Sequence, residues 1–595
     1  MSATLIERRI AALREQMQFQ SIAASVWLSA DPHLSEYLPE RWQLRAWLSG
    51  FTGSAGSLIV TLDAAAVWTD SRYWEQAQAQ LSGTGIVLMC AGKQGVPEPA
   101  DWLRRQLPVG GRVALDGRMV AMQAWEQWQE GEPELEWVVD SDLISPIWAD
   151  RPADPQQAVY EHVAPYACRT RAENLQSLRE QMQRHTADWH LVSALDDIAF
   201  LLNLRGSDVS YNPVFLSFLL VSQQHAYLFI DLDKVSSQIK ARLLADGIEL
   251  YAYTDLSAFL QALPAGLSML LDPARTTVHV ARQLQHLKLV EQLNPSQLMK
   301  ACKTPAELQQ VRAVMEQDGA ALCEFFAWLD NHLGQGEISE LTVDEYLTAA
   351  RARRPGFVSP SFGTIAAYQA NGAMPHYQAT ADAHSRLEGN GLLLIDSGGQ
   401  YLGGTTDITR MIAVGHLSEQ EKRDCTVVLQ GMVAMSLATF PSGVSGAHLD
   451  VLARQPLWRL GLDYGHGTGH GVGYFMNVHE GPQSLSWRAR VTPNTVLRVG
   501  MITSNEPGLY RPGKWGIRIE NLLACVPGPQ TEFGEFLQFE TLTLCPIDTR
   551  CIDASLLALH EREWLNQYHA QVRQRLQPLL DGKALDWLIE RTAPI

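Results

Sequence analysis

Two aspartates stand eleven residues apart in GLLLIDSGGQYLGGTTDITR, Gly391 to Arg410, which reads as an apolar strand ending in Asp396, a glycine-rich turn and a second strand carrying Asp407. A hairpin of that length can bring both carboxylates to one end of a sheet, where like charges repel unless a cation lies between them. Asp396 directly follows the run Leu392 to Ile395, a strand end where an unpaired carboxylate would be costly.

In DYGHGTGHGVG, Asp463 to Gly473, His466 and His470 lie four residues apart among glycines. That pattern points to a backbone that turns tightly and approaches something closely while presenting two imidazoles. His479 follows in NVHEGP. Glu506 ends the strand-like LRVGMITSNE just before Pro507, and Glu520 lies in GIRIENLL. Strand alternation puts Ile517, Ile519 and Asn521 on one face and Arg518 with Glu520 on the other. The bland reading is a surface ion pair between Arg518 and Glu520, worth little, and it leaves Glu506 unexplained.

Asp396, Asp407, His470, Glu506 and Glu520 together make four carboxylates and one imidazole. Structural zinc sites prefer thiolate and imidazole, and none of the eight cysteines joins this set. Mn²⁺ or Co²⁺ fits the oxygen-rich donors better. Four carboxylates carry more charge than one divalent ion balances, so two metals about 3.5 to 4 Å apart are expected, with a bridging hydroxide as nucleophile.

The elements that must position these groups begin with an internal repeat. LREQMQ occurs at Leu13 to Gln18 and again at Leu178 to Gln183, each time inside a helical pattern. AWLSGFTGS from Ala46 is echoed by AFLLNLRGS from Ala199. Both segments mix helical periodicity with β runs such as SLIVTL and HAYLFID, which predicts two related α/β domains in tandem. The proline-bearing stretch ISPIWADRPADP, Ile144 to Pro155, separates them. At KTPAEL a new segment opens with Thr304 as cap, Pro305 at the first helical position and Glu307 three residues on. The same spacing at Thr342 with Glu345 and at Ser418 with Glu421 predicts two further helices, and this last, α+β segment holds the polar residues of interest. The expected domains are 1–155, 156–303 and 304–595.

With 47 Lys plus Arg against 65 Asp plus Glu, the net charge of −18 has the wrong sign for a phosphate-neutralising surface, so no nucleic-acid partner is expected. The densest basic run, Arg351, Arg353 and Arg354, reads as a solvated helix end. The cysteines are scattered without a short-spaced framework, as reduced thiols in a cytosol would be. The first residues fit an amphipathic helix rather than a signal peptide, and the longest apolar runs fall well short of the roughly 18 to 20 residues that span a bilayer, so no membrane association is expected.

The order Asp, Asp, His, Glu, Glu within IDSGGQY, TTDITR, HGTGHGVG, VHEGP, SNEPGLY and IRIEN resembles the aminopeptidase P branch of the metallopeptidases that share the pita-bread fold with methionine aminopeptidase and prolidase. TGSAGSLIVT and WTDSRYWEQA, DDIAFLLNLRGSDV, and the tail LNQYHAQVRQRLQPLL extend the resemblance along the chain to the long, three-domain cytosolic form. It implies two tandem creatinase-like α/β domains before a pita-bread catalytic domain, and a cytoplasmic homodimer. Asp396 would bind one metal and His470 with Glu506 the other, while Asp407 and Glu520 bridge both. The ions would be Mn²⁺ first, with Co²⁺ or Zn²⁺ as alternatives. Glu506 would act as general base. His376, in NGAMPHYQ, with His466 and His479 would line the substrate pocket and bond the scissile carbonyl, and Arg72 in TDSRYW would reach the active site of the same or a partner subunit.

The implied reaction is hydrolysis of the N-terminal Xaa-Pro bond, releasing the first amino acid from peptides with proline in second position. Prolidase shares the ligands and pocket histidines, but two N-terminal domains and the tail after Leu565 favour the aminopeptidase. A binding protein on the same fold, such as a histone chaperone module, typically lacks metal ligands, and all five are present here.

Overall fold

The computed structural model describes residues 2–131, 134–334 and 338–595. The chain divides into two compact units, one made of Met1–Val163 with Arg169–Ser296, the other of Ala164–Cys168 with Gln297–Ile595.

The first unit contains two six-stranded sheets built alike. In the first, Ala24–Leu28 lies between antiparallel Ser57–Thr61 and parallel Arg112–Leu115. In the second, Trp189–Val192 lies between antiparallel Ser217–Ser222 and parallel Ser268–Leu271. The outer strands continue in the same order and sense on both sides, so the two sheets share one topology. The LREQMQ repeats fall in helices Ala3–Phe19 and Arg171–Arg184, each preceding the first strand of its sheet. The expected tandem α/β pair is thus present, and residues 144–155 contain no helix or strand.

In the second unit, long helices pack on antiparallel strands around a main core that includes Leu308, Phe325, Leu394, Met411, Val428 and Leu522, with a smaller cluster that includes Met435, Phe440 and Leu523. The helix Pro305–His332 starts at a complete Thr304–Glu307 capping box, and Glu419–Ser436 starts at a Ser418–Glu421 box, as expected. The helix Glu340–Ala352 is capped by Ser339, with Thr342 at its third position, so the start lies three residues before the expected Thr342 cap. The basic run does end that helix, but only Arg353 is solvated. Arg351 is buried and donates Nε to Asp318 Oδ1 at 2.8 Å, a partner on the neighbouring helix.

Candidate active site

The strands Gly391–Ser397 and Ile408–Val414 are buried at every position and pair antiparallel, with Asp396 opposite Thr409. Asp407 immediately precedes the second strand, so the hairpin reading holds: both carboxylates emerge at one end of one ladder. Glu506 follows the strand Ile502–Asn505, and its N–H donates to Thr468 O at 2.7 Å, fixing it beside the histidine loop. The strand Asn521–Thr531 pairs with Ile502–Asn505, which brings Glu520, just ahead of it, to the same end.

His470 reaches these acids from the short strand Gly469–His470. Its Nε2 lies 3.5 Å from Asp407 Oδ2 and 3.3 Å from Glu506 Oε1. Its Nδ1 donates to Gly471 O at 2.9 Å, which turns Nε2 toward the acids as the nitrogen that, once deprotonated, could bind a metal. Asp407, His470 and Glu520 each offer a ligand atom within 4.8 Å of the others. Among the described residues, Asp396 Oδ1 and Glu520 Oε1 are buried with no hydrogen-bond partner.

The electrostatics carry the same message. Burial, with Asp407 and Glu506 adding repulsion against the attraction of Arg518, pushes Asp396 up to about 6. Burial and the charges of Asp407, Glu506 and Asp396 push Glu520 well above the carboxylate range. Burial alone would lower His470, but its bonds to Asp407 and Glu506 outweigh that and raise it well above its ordinary value. Burial would raise Glu506, and His470 with His466 and Arg518 instead holds it down at about 2. Three buried carboxylates and the half-buried Glu506 face one another, two of them with orphaned oxygens, and form a donor set that fits hard divalent cations.

The glycines of the histidine loop serve close approach rather than turning. None of Gly467, Gly469, Gly471 and Gly473 has a left-handed φ. A Cβ on Gly469 would collide with Ser504 O, and one on Gly471 with Glu480 O. His479 packs edge-on against His470, ring centroids 4.2 Å apart. His376 is half-buried in the segment after Gln369–Ala373, and the preceding Pro375 O accepts Arg518 Nη2 at 3.3 Å. His466 has both ring nitrogens engaged, Nδ1 with Gly467 O at 2.7 Å and Nε2 with Tyr510 OH at 2.8 Å, and burial lowers it to about 4. It is therefore a neutral imidazole that accepts from Tyr510. Arg72 lies in the first unit, forked on Asp70 with two 2.8 Å bonds.

The surface-pair reading of Arg518 and Glu520 fails. Arg518 is 3% exposed and Glu520 1%. The chain leaves one ladder after Arg518 and enters another at Asn521, so a single alternating strand does not exist there. Arg518 Nη2 instead meets Asp396 Oδ2 at 2.5 Å, and Glu520 Oε2 accepts Thr409 Oγ1 at 2.9 Å. Sequence reasoning missed Arg518 and Tyr510 as site residues, and also Ser504, whose hydroxyl accepts His470 N–H and donates to Glu506. Their one signal was adjacency to the acids.

Fold and site together define a metal-dependent hydrolase with an antiparallel catalytic unit preceded by two α/β domains. The model of the metallopeptidase family M24 matches residues 309–527, that of the C-terminal region of peptidase M24 matches 535–595, and creatinase/prolidase N-terminal domain models match 9–147 and 150–307. The chain belongs to this metallopeptidase family. It is 39% identical to aminopeptidase P2 of Arabidopsis thaliana, covering 99% of this chain and 89% of the relative, and 36% identical to Xaa-Pro aminopeptidase 1 of Dictyostelium discoideum, covering 100% and 97%. The crystal structure of X-prolyl aminopeptidase from Caenorhabditis elegans, described as a cytosolic enzyme with a dinuclear active site, superposes with TM-score 0.94 at 32% identity, covering 100% of both chains. The Xaa-Pro dipeptidase of Bacillus anthracis shares the fold over 64% of this chain, at 22% identity and TM-score 0.50.

Proposed function

We propose that this protein is a dinuclear metal-dependent Xaa-Pro aminopeptidase, removing the first residue from peptides with proline in second position. One observation carries the reading: Asp396, Asp407, His470, Glu506 and Glu520 meet in one buried cluster with two orphaned carboxylate oxygens. Similarity to Xaa-Pro aminopeptidases extends over the whole chain, whereas the dipeptidase fold covers 64% of it.

Asp396 would hold one cation and His470 with Glu506 the other, and Asp407 and Glu520 would serve both. The pair, when bound, supplies Lewis acidity toward the scissile carbonyl and a hydroxide at neutral pH. The donor set of oxygens and one imidazole supports Mn²⁺. Glu506 is the general base: its carboxylate stays ionised, takes the proton of the attacking water and returns it to the departing proline nitrogen. A bond to proline is a tertiary amide without the N–H that other peptidases clamp, so recognition falls on the carbonyl side. His376 and His479 bond the carbonyl oxygen and the oxyanion that follows, and His466 lines the pocket as a neutral ring braced by Tyr510.

The reading includes a cytosolic homodimer. The nematode relative is described as cytosolic, and among the described residues no helix is long and apolar enough to cross a membrane. The test is hydrolysis of Arg-Pro-Pro with and without chelator, alongside elemental analysis of freshly purified enzyme. Release of free arginine, lost in chelator and restored by Mn²⁺, is expected. Cleavage of Xaa-Pro dipeptides alone would convert the assignment to prolidase.

A further inference from the structure

Directly after His479 stands Glu480, 3% exposed, with two lysines on its carboxylate. Lys303 Nζ lies 2.8 Å from Glu480 Oε1 and donates to Val472 O at 2.6 Å, so one ammonium ties the outgoing and returning arms of the loop 471–480. Lys300 Nζ lies 3.3 Å from Glu480 Oε2. The loop neck is closed by backbone as well: Glu480 N–H donates to Gly471 O at 2.8 Å, the same carbonyl that accepts His470 Nδ1 at 2.9 Å. Gly473 leaves room for the carboxylate, since a Cβ there would stand 3.1 Å from Glu480 Oε2. A second tether holds the same loop, Tyr474 OH donating to Tyr166 O at 2.8 Å. The loop thus rests on both stretches, 164–168 and 297–303, on which the chain enters the catalytic unit.

Buried charges are costly unless paired, and three of them converge where this mostly buried loop closes. What lies at the ends of this loop is the edge-on contact between His470 and His479. We propose that Glu480, gripped by Lys303, is a positioning residue for the proposed hydrolysis. It sets the distance and angle of the His479 ring against the substrate carbonyl by locking the neck of the loop, and it holds Gly471 O where His470 Nδ1 needs it. This rests on the reading of His479 as a pocket side chain given above.

The test uses full-length, Mn²⁺-loaded enzyme with Arg-Pro-Pro as substrate. Glu480→Gln and Lys303→Met each lower kcat by about 10- to 100-fold, the range for outer-shell partners of metal ligands. KM changes little, because the ring is needed most in the transition state. The double variant is no worse than the poorer single, as for residues acting as one unit. Lys303→Arg, which keeps donors toward both oxygens, recovers most of the loss. Melting curves and metal content stay near wild type for Lys303→Arg, while Glu480→Gln, which leaves two buried ammoniums without their counter-charge, melts lower but keeps its metal. Unchanged kcat in Glu480→Gln, a loss that merely tracks the unfolded fraction, or failure of Lys303→Arg to rescue overturns the proposal. Should the wild type not cleave Arg-Pro-Pro, the functional reading fails instead. The clamp is then judged by crystal structures of Glu480→Gln, in which a His470 to His479 contact kept as in the wild type refutes it.

Discussion

Arg518 Nη2 donates to Asp396 Oδ2 at 2.5 Å, and both groups are buried. The same guanidinium donates Nη1 to Tyr510 OH at 2.8 Å and Nε to Thr409 Oγ1 at 3.2 Å. One planar fork therefore braces Asp396, proposed above as a metal ligand, the tyrosine on which His466 rests and the threonine that bonds Glu520. Arg518→Lys keeps a charge but offers a compact ammonium that cannot serve three partners. Turnover is expected to fall about 10- to 100-fold, with stability down by about 1 to 3 kcal/mol for the donors and acceptors left unmatched. Steady-state kinetics with denaturant melts measure both, and wild-type turnover in Arg518→Lys would show that the fork has no role.

Glu520 gives a pH-dependent prediction. Its carboxyl is raised well above its ordinary 4.5, first by burial and then by its acidic neighbours, in the cation-free protein. The folded state therefore holds this proton more tightly than the unfolded state. Its contribution is fully present below about 4.5 and is lost as pH rises through the raised value. In chelator, Glu520→Gln, which escapes that loss, melts above wild type at pH 8, and the gap closes toward pH 4.5. Excess Mn²⁺ reverses the order: wild type gains about 2.7 kcal/mol at a hundredfold excess over Kd, while the variant, lacking a bridging ligand, gains little and has almost no turnover. Equal melting of the two proteins in chelator at pH 8 would reject the raised carboxyl, and full activity of Glu520→Gln would reject the bridging role.

The four acids were legible because each stands at one end of an apolar strand, where burial makes a bare carboxylate costly, and His470 because it stands in a glycine-rich motif. The tandem sheets were legible because their helices and turns repeat in sequence. Arg518 was not, because alternation assumes one continuous strand, and the ladder changes between Arg518 and Asn521. Arg351 read as solvated for want of its partner Asp318, which lies on another helix. Glu480 and Lys303 are separated by 177 positions, and no local pattern can announce such a pair.

Gly469 tests whether close approach, rather than flexibility, is what the histidine loop requires. A Cβ at this position would collide with the Ser504 carbonyl, backbone that cannot step aside, although φ itself is ordinary. Gly469→Ala must displace His470 from Ser504 and from the acids. A shift of about 1 Å at a reacting centre costs on the order of 100-fold in rate. Activity and bound metal are expected to fall together in Gly469→Ala, read by kinetics and elemental analysis, while far-UV circular dichroism stays unchanged. An active, metal-replete variant would mean that the backbone yields there.

Glu340 anchors the segment that carries His376. It is fully buried in the first turn of its helix, and its carboxylate accepts Tyr368 N at 2.7 Å, Asn371 Nδ2 at 2.9 Å, Tyr377 OH at 2.8 Å and Ser385 N at 2.6 Å. Only an ionised carboxylate accepts at both oxygens, and an amide would turn a donor toward Tyr377 or Ser385. Each buried N–H or O–H left without an acceptor costs about 1 to 3 kcal/mol. Glu340→Gln therefore loosens residues 369–385 before the rest of the unit unfolds. Hydrogen exchange is expected to rise across that segment and not in the strands Gly391–Ser397 and Ile408–Val414. Because His376 moves with Tyr377, kcat/KM falls about tenfold or more while metal content holds. Loss of metal in Glu340→Gln, or exchange unchanged in residues 369–385, would show that the carboxylate supports something other than the His376 segment.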